Sequence, residues 1–323
     1  STGDYWHLPI AIKAAQAGKH IYLEKPLGLS LDNMLILEKE AKKNKVHFHY
    51  GTQQRSLTHC QNGIEMIRSG RLGEISYVDV WAPEGSGSPV KPDDKIIPDG
   101  FDFDRWLGPA PLAEYSFARC RSATGVYHTY DYAIGFIAGW GAHPLDIAVW
   151  GVKEKMNDIS SHKGTGSLFP EGMLFDTITS WDVNIKYNKG LTVHFMSTDL
   201  ARPVVSEYLP DMAGDGTAFF GEKGWISISR GQIASNIPEI HNELNVGVVG
   251  ENGKHGENFI KTIKGEIKEI APLEDAIISD CISHMGNISI RSGNEVKWDA
   301  VKREFPDAPG LEKQYFHRNP RKS

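Results

Sequence analysis

The stretch GWGAHPLDIAVWG, residues 139–151, decides the fold of this 323-residue chain. Glycine permits close approaches of the backbone and Pro144 suits the first turn of a helix, so a helix is predicted to begin near His143. Steps of three and four residues give this helix two faces. The apolar face carries Leu145, Ala148, Val149 and Val152, and the adjacent face carries His143, Asp146, Ile147 and Trp150. We expect one face to enter a core and the other to look into a cleft.

His143 is the first candidate for chemistry in this stretch. It stands where a glycine-rich turn meets the start of a helix, a place where backbone N–H groups gather and a ligand can come close. An imidazole also titrates near neutral pH, which suits proton transfer. The alternative interpretation is a histidine that only caps the helix or packs in the core, and the rest of the chain has to decide between them.

Composition narrows the class of protein and its partners. The chain is 40% hydrophobic and 24% charged with a net charge of −6, which indicates an ordinary globular protein long enough for two domains. Without a basic excess, neither nucleic acid nor a membrane surface is a predicted partner. The cysteines are few and scattered, and the pair His47 and His49 has no third ligand nearby, so no disulfide framework and no metal site are predicted.

The first part of the chain alternates between helical and strand patterns. Helices are predicted at residues 9–18, 30–44 and 58–70, and strands at residues 20–23 and 46–50. This order is typical of half of a doubly wound parallel sheet, a Rossmann sheet. Glu24, Lys25 and Pro26 follow the first strand at the edge where such sheets bind ligands. No complete G-x-G-x-x-G fingerprint joins a strand to a helix in this sequence.

From residue 74 onward the sequence pattern predicts mainly β-strands. A strand at 75–81, a specificity loop at 83–100 and a rigid turn at 104–111 are predicted before the central stretch. An antiparallel meander is predicted after it, with strands at 178–187, 191–196, 217–221 and 225–229. Helices at 255–267 and 273–287 and a strand at 295–298 complete the pattern.

These patterns together predict a fold class and a division into domains. The class is α/β plus α+β: the C-terminal half of a doubly wound Rossmann sheet, then a domain with a large, mostly antiparallel open sheet and helices on one face. The predicted boundaries are residues 1–72 for the partial nucleotide-binding domain and 73–323 for the substrate and oligomerisation domain.

The Glu24-Lys25-Pro26 motif, combined with G-x-H-x-x-D at residues 141–146, resembles the glucose–fructose oxidoreductase / inositol dehydrogenase / MocA (Gfo/Idh/MocA) family. Members are NAD(P)-dependent sugar and polyol dehydrogenases. Residues 2–7 resemble the loop after the family's fourth strand, 51–55 the loop after its sixth, and 221–230 its G-x-x-G-W hairpin. The family's first strands and glycine fingerprint would precede Ser1, so we expect an upstream segment, without which this chain is incomplete as an enzyme.

The resemblance implies a site, residue by residue. Lys25 and His143 match the family's catalytic lysine and histidine. The other implied contacts are Thr2, His7, Glu24, Lys25, Pro26 and Gln53 for the cofactor, NAD or NADP, and Arg55, Trp106, Tyr132 and Asp146 for the substrate. The family's catalytic aspartate falls at position 139, which is glycine here. Asp146, Asp131, Tyr130 and Tyr132 are candidates to replace it.

The chemistry requires these residue types for its own reasons. Hydride leaves a secondary alcohol carbon only as the hydroxyl proton is removed, so His143 suits the role of base. Lys25 can stabilise negative charge that develops on the oxygen.

The resemblance therefore implies an oxidoreductase acting on a sugar, polyol or glycoside. An NAD-dependent glycoside hydrolase with transient redox chemistry, and an inactive fragment or scaffold, stay open as alternatives. A homodimer or homotetramer formed through the open sheet is expected, in the cytoplasm or alternatively the periplasm.

Overall fold

The computed structural model describes residues 2–85, 87, 90–92, 95–120, 122–245 and 254–307, with backbone alone at 122–124 and 245. Its helices are α1 Asp4–Gln16, α2 Leu31–Lys43, α3 Thr58–Arg68, α4 Phe103–Leu107, α5 Phe117–Cys120, α6 Ser122–His128, α7 Phe136–Gly139, α8 Ala142–Met156, α9 Thr198–Val205, α10 Pro238–Asn245, α11 His255–Ile263 and α12 Leu273–Ser292. Its strands are β1 Ile21–Leu23, β2 Phe48–Tyr50, β3 Ile75–Ala82, β4 Ile159–Leu168, β5 Ile178–Tyr187, β6 Thr192–Ser197, β7 Gly216–Gly221, β8 Gly224–Ile228, β9 Ile233–Ser235 and β10 Val296–Asp299. A 3-10 helix spans Gln53–Ser56.

The first layer is a parallel pair, β1 and β2, with helices α1 and α2 packed in the same core. Ser30 begins α2 as predicted, because its hydroxyl accepts a hydrogen bond from the amide of Asn33. The predicted half of a doubly wound sheet is confirmed here. The carboxyl ends of both strands lie at one edge, so residues 24–26 and the loop after Tyr50 are neighbours.

The second layer is an eight-stranded sheet in the order β10-β4-β5-β6-β3-β7-β8-β9. Its pairs are antiparallel except β3 with β6, which is parallel, so the predicted large, mostly antiparallel sheet is confirmed. The prediction of a continuous meander from residue 178 was wrong, because β3 lies between β6 and β7. Strand β4 was not predicted, since its serines and glycines give no apolar alternation.

Helices cover one face of this sheet, as predicted. Helix α8 packs on β3 and β7, α12 on β4, and α3 on β8. One addition to the prediction is α9, which packs against Trp81, Met196 and Ala218, on the opposite face at one end. The remainder of that opposite face is polar and includes Tyr77, Asp79, Asp182 and His194, which contact one another.

Three local predictions need correction. Helix α1 begins at Asp4 rather than at Pro9, which lies within the helix. The predicted rigid turn at residues 104–111 contains the short helix α4, because the Asp102 carboxylate accepts a hydrogen bond from the amide of Arg105 and caps it. Helix α12 continues past residue 287 to Ser292, where Gly293 in the left-handed conformation (φ 69°) ends it.

Helix α12 joins the two layers. Its residues Ile277 and Met285 pack with Leu8, Met34 and Phe48 of the first layer. The same helix packs on α8 and β4 of the second layer. A domain boundary near residue 72 stays a prediction, and residues 271–305 supply part of the core that stabilises the first layer. Within the described ranges, no helix is both long and apolar enough to cross a membrane.

Candidate active site

The turn before α8 confirms the close approach predicted for one of its two glycines. A Cβ at Gly141 would lie 2.0 Å from the carbonyl oxygen of Ile137 and 2.7 Å from the Phe195 ring, so no larger residue fits there. A Cβ at Gly139 would meet no atom within 4 Å. The glycine at 141 is therefore required by packing, whereas the one at 139 leaves open space.

Lys25 reaches this open position from the end of β1. Its Nζ donates a hydrogen bond of 2.6 Å to the carbonyl oxygen of Gly139 and lies 5.9 Å from the centre of the Trp140 ring. Burial lowers the pKa of Lys25, and the charges of Asp4 and Glu24 oppose that shift. The structure thus brings the lysine of the Glu-Lys-Pro motif to the residue that replaces the family's aspartate.

His143 is buried at the first turn of α8, with 3% of its surface exposed. Its ring centre is 6.1 Å from that of Trp140, and its Nδ1 has no hydrogen-bond partner among the described residues. Burial, then the positive charges of Lys25 and Arg230, hold the pKa of His143 well below its ordinary value of 6.5. The imidazole is therefore neutral at pH 7 and able to accept a proton.

The loop that carries Lys25 is anchored from two sides. His7 of α1 donates from Nδ1 to the carbonyl oxygen of Pro26 at 2.8 Å. The amides of Leu27 and Gly28 donate to the two carboxylate oxygens of Asp280 on α12, at 3.2 and 3.4 Å. The Lys25–Pro26 peptide is cis. The hydrogen bonds to residues 26–28 therefore fix the position of the loop that carries Lys25.

Asp4 is a buried acid beside this platform that the sequence did not single out. Burial raises its pKa to about 8, although the charge of Lys25 opposes the shift. A carboxyl buried at the start of α1 leaves no pattern in the sequence, because nothing local shows what α1 packs against.

Arg55 and Asp146 form a buried ion pair. Arg55 donates from Nε and Nη2 to the two oxygens of Asp146 at 2.7 and 2.6 Å, and from Nη1 to Asp275 at 2.8 Å. Both Arg55 and Asp146 are 1% exposed. That these two residues bind substrate stays a prediction, and their mutual pairing favours a role in fixing α8.

Trp106 and Tyr132 meet in an aromatic cluster at α4. Their ring centres are 5.2 Å apart in a T-shaped contact, and the Tyr5 hydroxyl donates to the carbonyl oxygen of Trp106. Tyr132 has no exposed surface, and its hydroxyl accepts a hydrogen bond from Arg119 at 3.0 Å. Trp106 is partly exposed, so of these two residues it is the one that a ligand could contact.

The remaining residues predicted to bind the cofactor lie on three segments. Thr2 is exposed before α1, Glu24 is half-buried at the end of β1, and Gln53 is half-buried at the start of the 3-10 helix. Gly51 packs against Glu24, since a Cβ there would lie 2.9 Å from the Glu24 Cα. Glu24 and the loop after β2 are therefore in contact, and a role of all three residues in cofactor binding stays a prediction.

Arg230 is the site residue whose role the sequence did not reveal. It follows β8, and its guanidinium carbon lies 5.4 Å from the centre of the Trp140 ring, the same ring that Lys25 contacts. Its Nε and Nη2 are buried with no hydrogen-bond partner in the described part of the chain. Two cations thus converge on Trp140, three residues before His143.

No group of three or more histidine, cysteine, aspartate or glutamate side chains is placed to hold a metal among the described residues. His49 instead contacts His255, with 3.3 Å between Nε2 and Nδ1, and His47 contacts Glu269. The two histidines of the H-x-H pair therefore have different partners.

Comparison with known proteins shows which family a segment of this chain resembles. Residues 81–202 match the family described as "Oxidoreductase family, C-terminal alpha/beta domain", GFO_IDH_MocA_C2. Residues 81–202 are thus similar to the C-terminal domain of the Gfo/Idh/MocA oxidoreductases. The resemblance inferred from Lys25 and His143 is thereby confirmed, and the match covers the last two residues of β3 and the whole of α8.

Solved Gfo/Idh/MocA-like structures share the fold. The WlbA dehydrogenase from Bordetella pertussis, solved with NADH and UDP-GlcNAcA, is 16% identical, with a TM-score of 0.61 over 91% of this chain and 76% of that chain. The aldose-aldose oxidoreductase from Caulobacter crescentus, complexed with glycerol, is 16% identical, with a TM-score of 0.61 over 92% and 77%.

A curated relative matches more closely over a shorter segment. The 2,7-anhydro-N-acetylneuraminate hydratase of Escherichia coli K12 is 33% identical over 75 residues, which are 23% of this chain. The match spans 20% of the relative's own length, so it carries no whole-protein activity across.

Gly139→Asp should restore a carboxylate beside Lys25 and His143 at little structural cost. The open space at Gly139 should keep the free energy of unfolding within about 1 kcal/mol of the parent. The added negative charge should raise the pKa of His143, which NMR titration of the imidazole would measure. Gly139→Asn is the control, equal in size without the charge. An unchanged His143 pKa in Gly139→Asp would show that position 139 does not face the site.

Proposed function

We propose that this protein is an NAD(P)-dependent oxidoreductase that acts on a secondary alcohol of a sugar, polyol or glycoside. The observation that carries the proposal is the convergence of Lys25 and His143 at Gly139 and Trp140. A buried, neutral imidazole beside a half-buried cation is the arrangement that alcohol oxidation needs. In the described part of the chain, Lys25 and His143 are not held in an ion pair, whereas Arg55 and Asp146 are paired with each other.

The described residues fit one end of a dinucleotide. The carboxyl ends of β1 and β2 present Glu24, Lys25 and the loop after Tyr50 at one edge, the edge at which parallel sheets bind nucleotides. His7 Nε2 is buried near this edge with no partner among the described residues. Thr2, His7, Glu24, Pro26 and Gln53 would hold the nicotinamide end. When bound, the nicotinamide of NAD(P)+ supplies the acceptor for hydride.

The protein's own groups perform the proton and charge steps. His143 accepts the proton of the substrate hydroxyl, and its depressed pKa keeps it in the accepting form at neutral pH. Lys25 donates a hydrogen bond to the same oxygen and stabilises the negative charge that develops there. The carbonyl of Gly139 and the anchored loop hold Lys25 in position.

The relatives support this proposal in their own terms. A structure with NADH and a nucleotide sugar, and one with glycerol, are consistent with sugar or polyol chemistry on this fold. We further propose a homodimer or homotetramer through the polar outer face of the large sheet, and a cytoplasmic location.

NADH production tests the proposed function. The protein as it occurs in its host, with any residues that flank this sequence, should reduce NAD+ or NADP+ with a sugar or polyol, followed by absorbance at 340 nm. Lys25→Met should reduce kcat/KM by about 100-fold or more, because it removes a donor aimed at developing charge. Lys19→Met, an exposed change of the same type, should leave it unchanged. Equal loss in both variants, or no reduction with any polyol, would overturn the proposal.

A second candidate is hydration or glycoside cleavage with transient redox chemistry, favoured by the hydratase relative. Here the same oxidation is followed by elimination, addition of water and re-reduction, so NAD+ is required without net NADH. Product release that depends on NAD+ while absorbance at 340 nm stays flat would select this candidate.

A further inference from the structure

Arg230 presents a guanidinium edge that no other residue in the described part of the chain uses. The residue follows β8, and its turn is held by the hydrogen bond from the Ser229 amide to the carbonyl of Gln232 at 2.8 Å. Its Nε and Nη2 lie on one edge of the guanidinium, are both buried, and have no hydrogen-bond partner among the described residues. A buried donor without a partner destabilises the folded protein, so such an edge suggests an external acceptor.

Arg55 shows in the same molecule what this edge binds. It uses Nε and Nη2 to hold the two oxygens of the Asp146 carboxylate at 2.7 and 2.6 Å. Two parallel N–H groups match two carboxylate oxygens, which makes the contact both strong and directional. Arg230 has the same two nitrogens buried and lacks the internal carboxylate.

The charges around Arg230 favour an anionic ligand. Lys25 lies against the same Trp140 ring, so two cations flank it. The nearby acid is Asp215, whose carboxylate accepts a hydrogen bond from the side chain of Gln54 at 2.9 Å. The charge of Arg230 acts to lower the pKa of Asp215, but the two side chains form no salt bridge. The positive charge of Arg230 is thus uncompensated by direct contact within the described residues.

We propose that Arg230 binds a carboxylate of the substrate, so that the preferred substrates are sugar acids, with the reacting hydroxyl at Lys25 and His143. This inference rests on the proposed function for the identity of the neighbouring site. Trp140, stacked against both cations, provides an apolar face beside the carboxylate for the sugar ring. A neutral sugar would leave the two N–H groups of Arg230 unpaired, which is the basis of the selectivity.

Calorimetric titration tests the assignment without turnover. The probes are D-glucuronate and D-galacturonate, the neutral sugars D-glucose and D-galactose, and D-glucose 6-phosphate, each added to the full protein with NADH present so that no oxidation occurs. At least one sugar acid should bind about tenfold or more tightly than its neutral counterpart. Arg230→Gln should weaken that binding by about 100-fold, and Arg230→Lys by about tenfold, because a lysine keeps the charge but loses the paired edge.

A matched control separates recognition from net charge. Arg202→Gln, an exposed change on α9, makes the same charge difference and should leave affinity for the sugar acid unchanged. Circular dichroism and the melting temperature verify that each variant folds. Should Arg230→Gln fail to fold, Arg230→Lys carries the test on its own.

The other outcomes contradict the assignment. Equal affinity for acids and neutral sugars, no binding of either acid, or an unchanged affinity in Arg230→Gln and Arg230→Lys would overturn it. Tighter binding of the 6-phosphate than of both acids would assign the edge to a phosphate instead and overturn the carboxylate. If sugar acids bind through Arg230 but neither they nor any polyol yields NADH when NAD+ is supplied, the proposed function fails and the assignment of a carboxylate to Arg230 stands. If neutral polyols are oxidised and sugar acids bind no more tightly than neutral sugars, the proposed function stands and the assignment of a carboxylate to Arg230 fails.

Discussion

His143→Asn is expected to lower kcat by about 10²- to 10⁴-fold, the usual contribution of a positioned acid–base group. The reason is geometric and electrostatic: the imidazole stands at the first turn of α8, buried and neutral, in the field of Lys25 and Arg230. Asparagine keeps a similar size and a polar end but cannot accept the proton. Dinucleotide affinity, measured by titration of the same protein, should change far less than kcat.

The pH dependence follows from the direction of the pKa shift. Because the pKa of His143 is held well below 6.5, the proton-accepting form is present throughout the neutral range and is lost only as pH falls through the lowered value. The acid limb of kcat/KM should therefore lie below pH 6.5 in the parent. Removing a neighbouring charge with Lys25→Met should move the pKa of His143 upward, which imidazole NMR would follow.

A structural role for His143 predicts a different pattern. If the residue only caps α8, its replacement should cost about 1 kcal/mol of stability and leave turnover per folded molecule unchanged. His194→Asn is the control, since that histidine lies on the outer face of the large sheet and contacts Asp182. Unchanged kcat in both variants would contradict the assignment of His143 as the base.

Arg55→Leu is expected to destabilise the folded protein by about 3–5 kcal/mol, the usual cost of leaving a buried charge without its partner. Burial alone would lower the pKa of Arg55, but Asp146 and Asp275 raise it, so the guanidinium is charged in the fold. Its loss leaves the Asp146 carboxylate buried and unpaired. Denaturant unfolding followed by circular dichroism gives the free-energy difference.

Arg71→Leu is the matched control, because Arg71 pairs with Glu243 at the surface. Its unfolding midpoint should stay close to the parent value. Asp146 lies three residues after His143 on α8, so Arg55→Leu should also disturb kcat in the fraction that remains folded. Equal unfolding midpoints for Arg55→Leu and Arg71→Leu would show that the buried pair adds no net stability.

Local sequence patterns predicted the helices and strands whose ends depend on residues nearby in the chain. Ser30 begins α2, and a helix with His143 in its first turn follows Gly141, each at the predicted place. Strand β5 runs over the predicted residues because its side chains alternate. Strand β4 was missed, since half of its residues are exposed and it pairs with β5 through backbone hydrogen bonds rather than through an apolar side-chain pattern. The insertion of β3 between β6 and β7 had no local signal either.

The sequence by itself determined the family resemblance and the half-Rossmann and open-sheet architecture, and it predicted Lys25 and His143 as a catalytic pair. Motif residues and caps act within a few positions of each other, so a linear reading recovers them. Only the tertiary structure decided which charges are satisfied. Arg55 pairs with Asp146 and Asp275, which are 91 and 220 positions away along the chain. Arg230 lies beside Trp140, and among the residues that the structure describes, none accepts a hydrogen bond from its Nε or Nη2. Pairing of a buried charge depends on packing between distant elements, and no spacing along the chain records it.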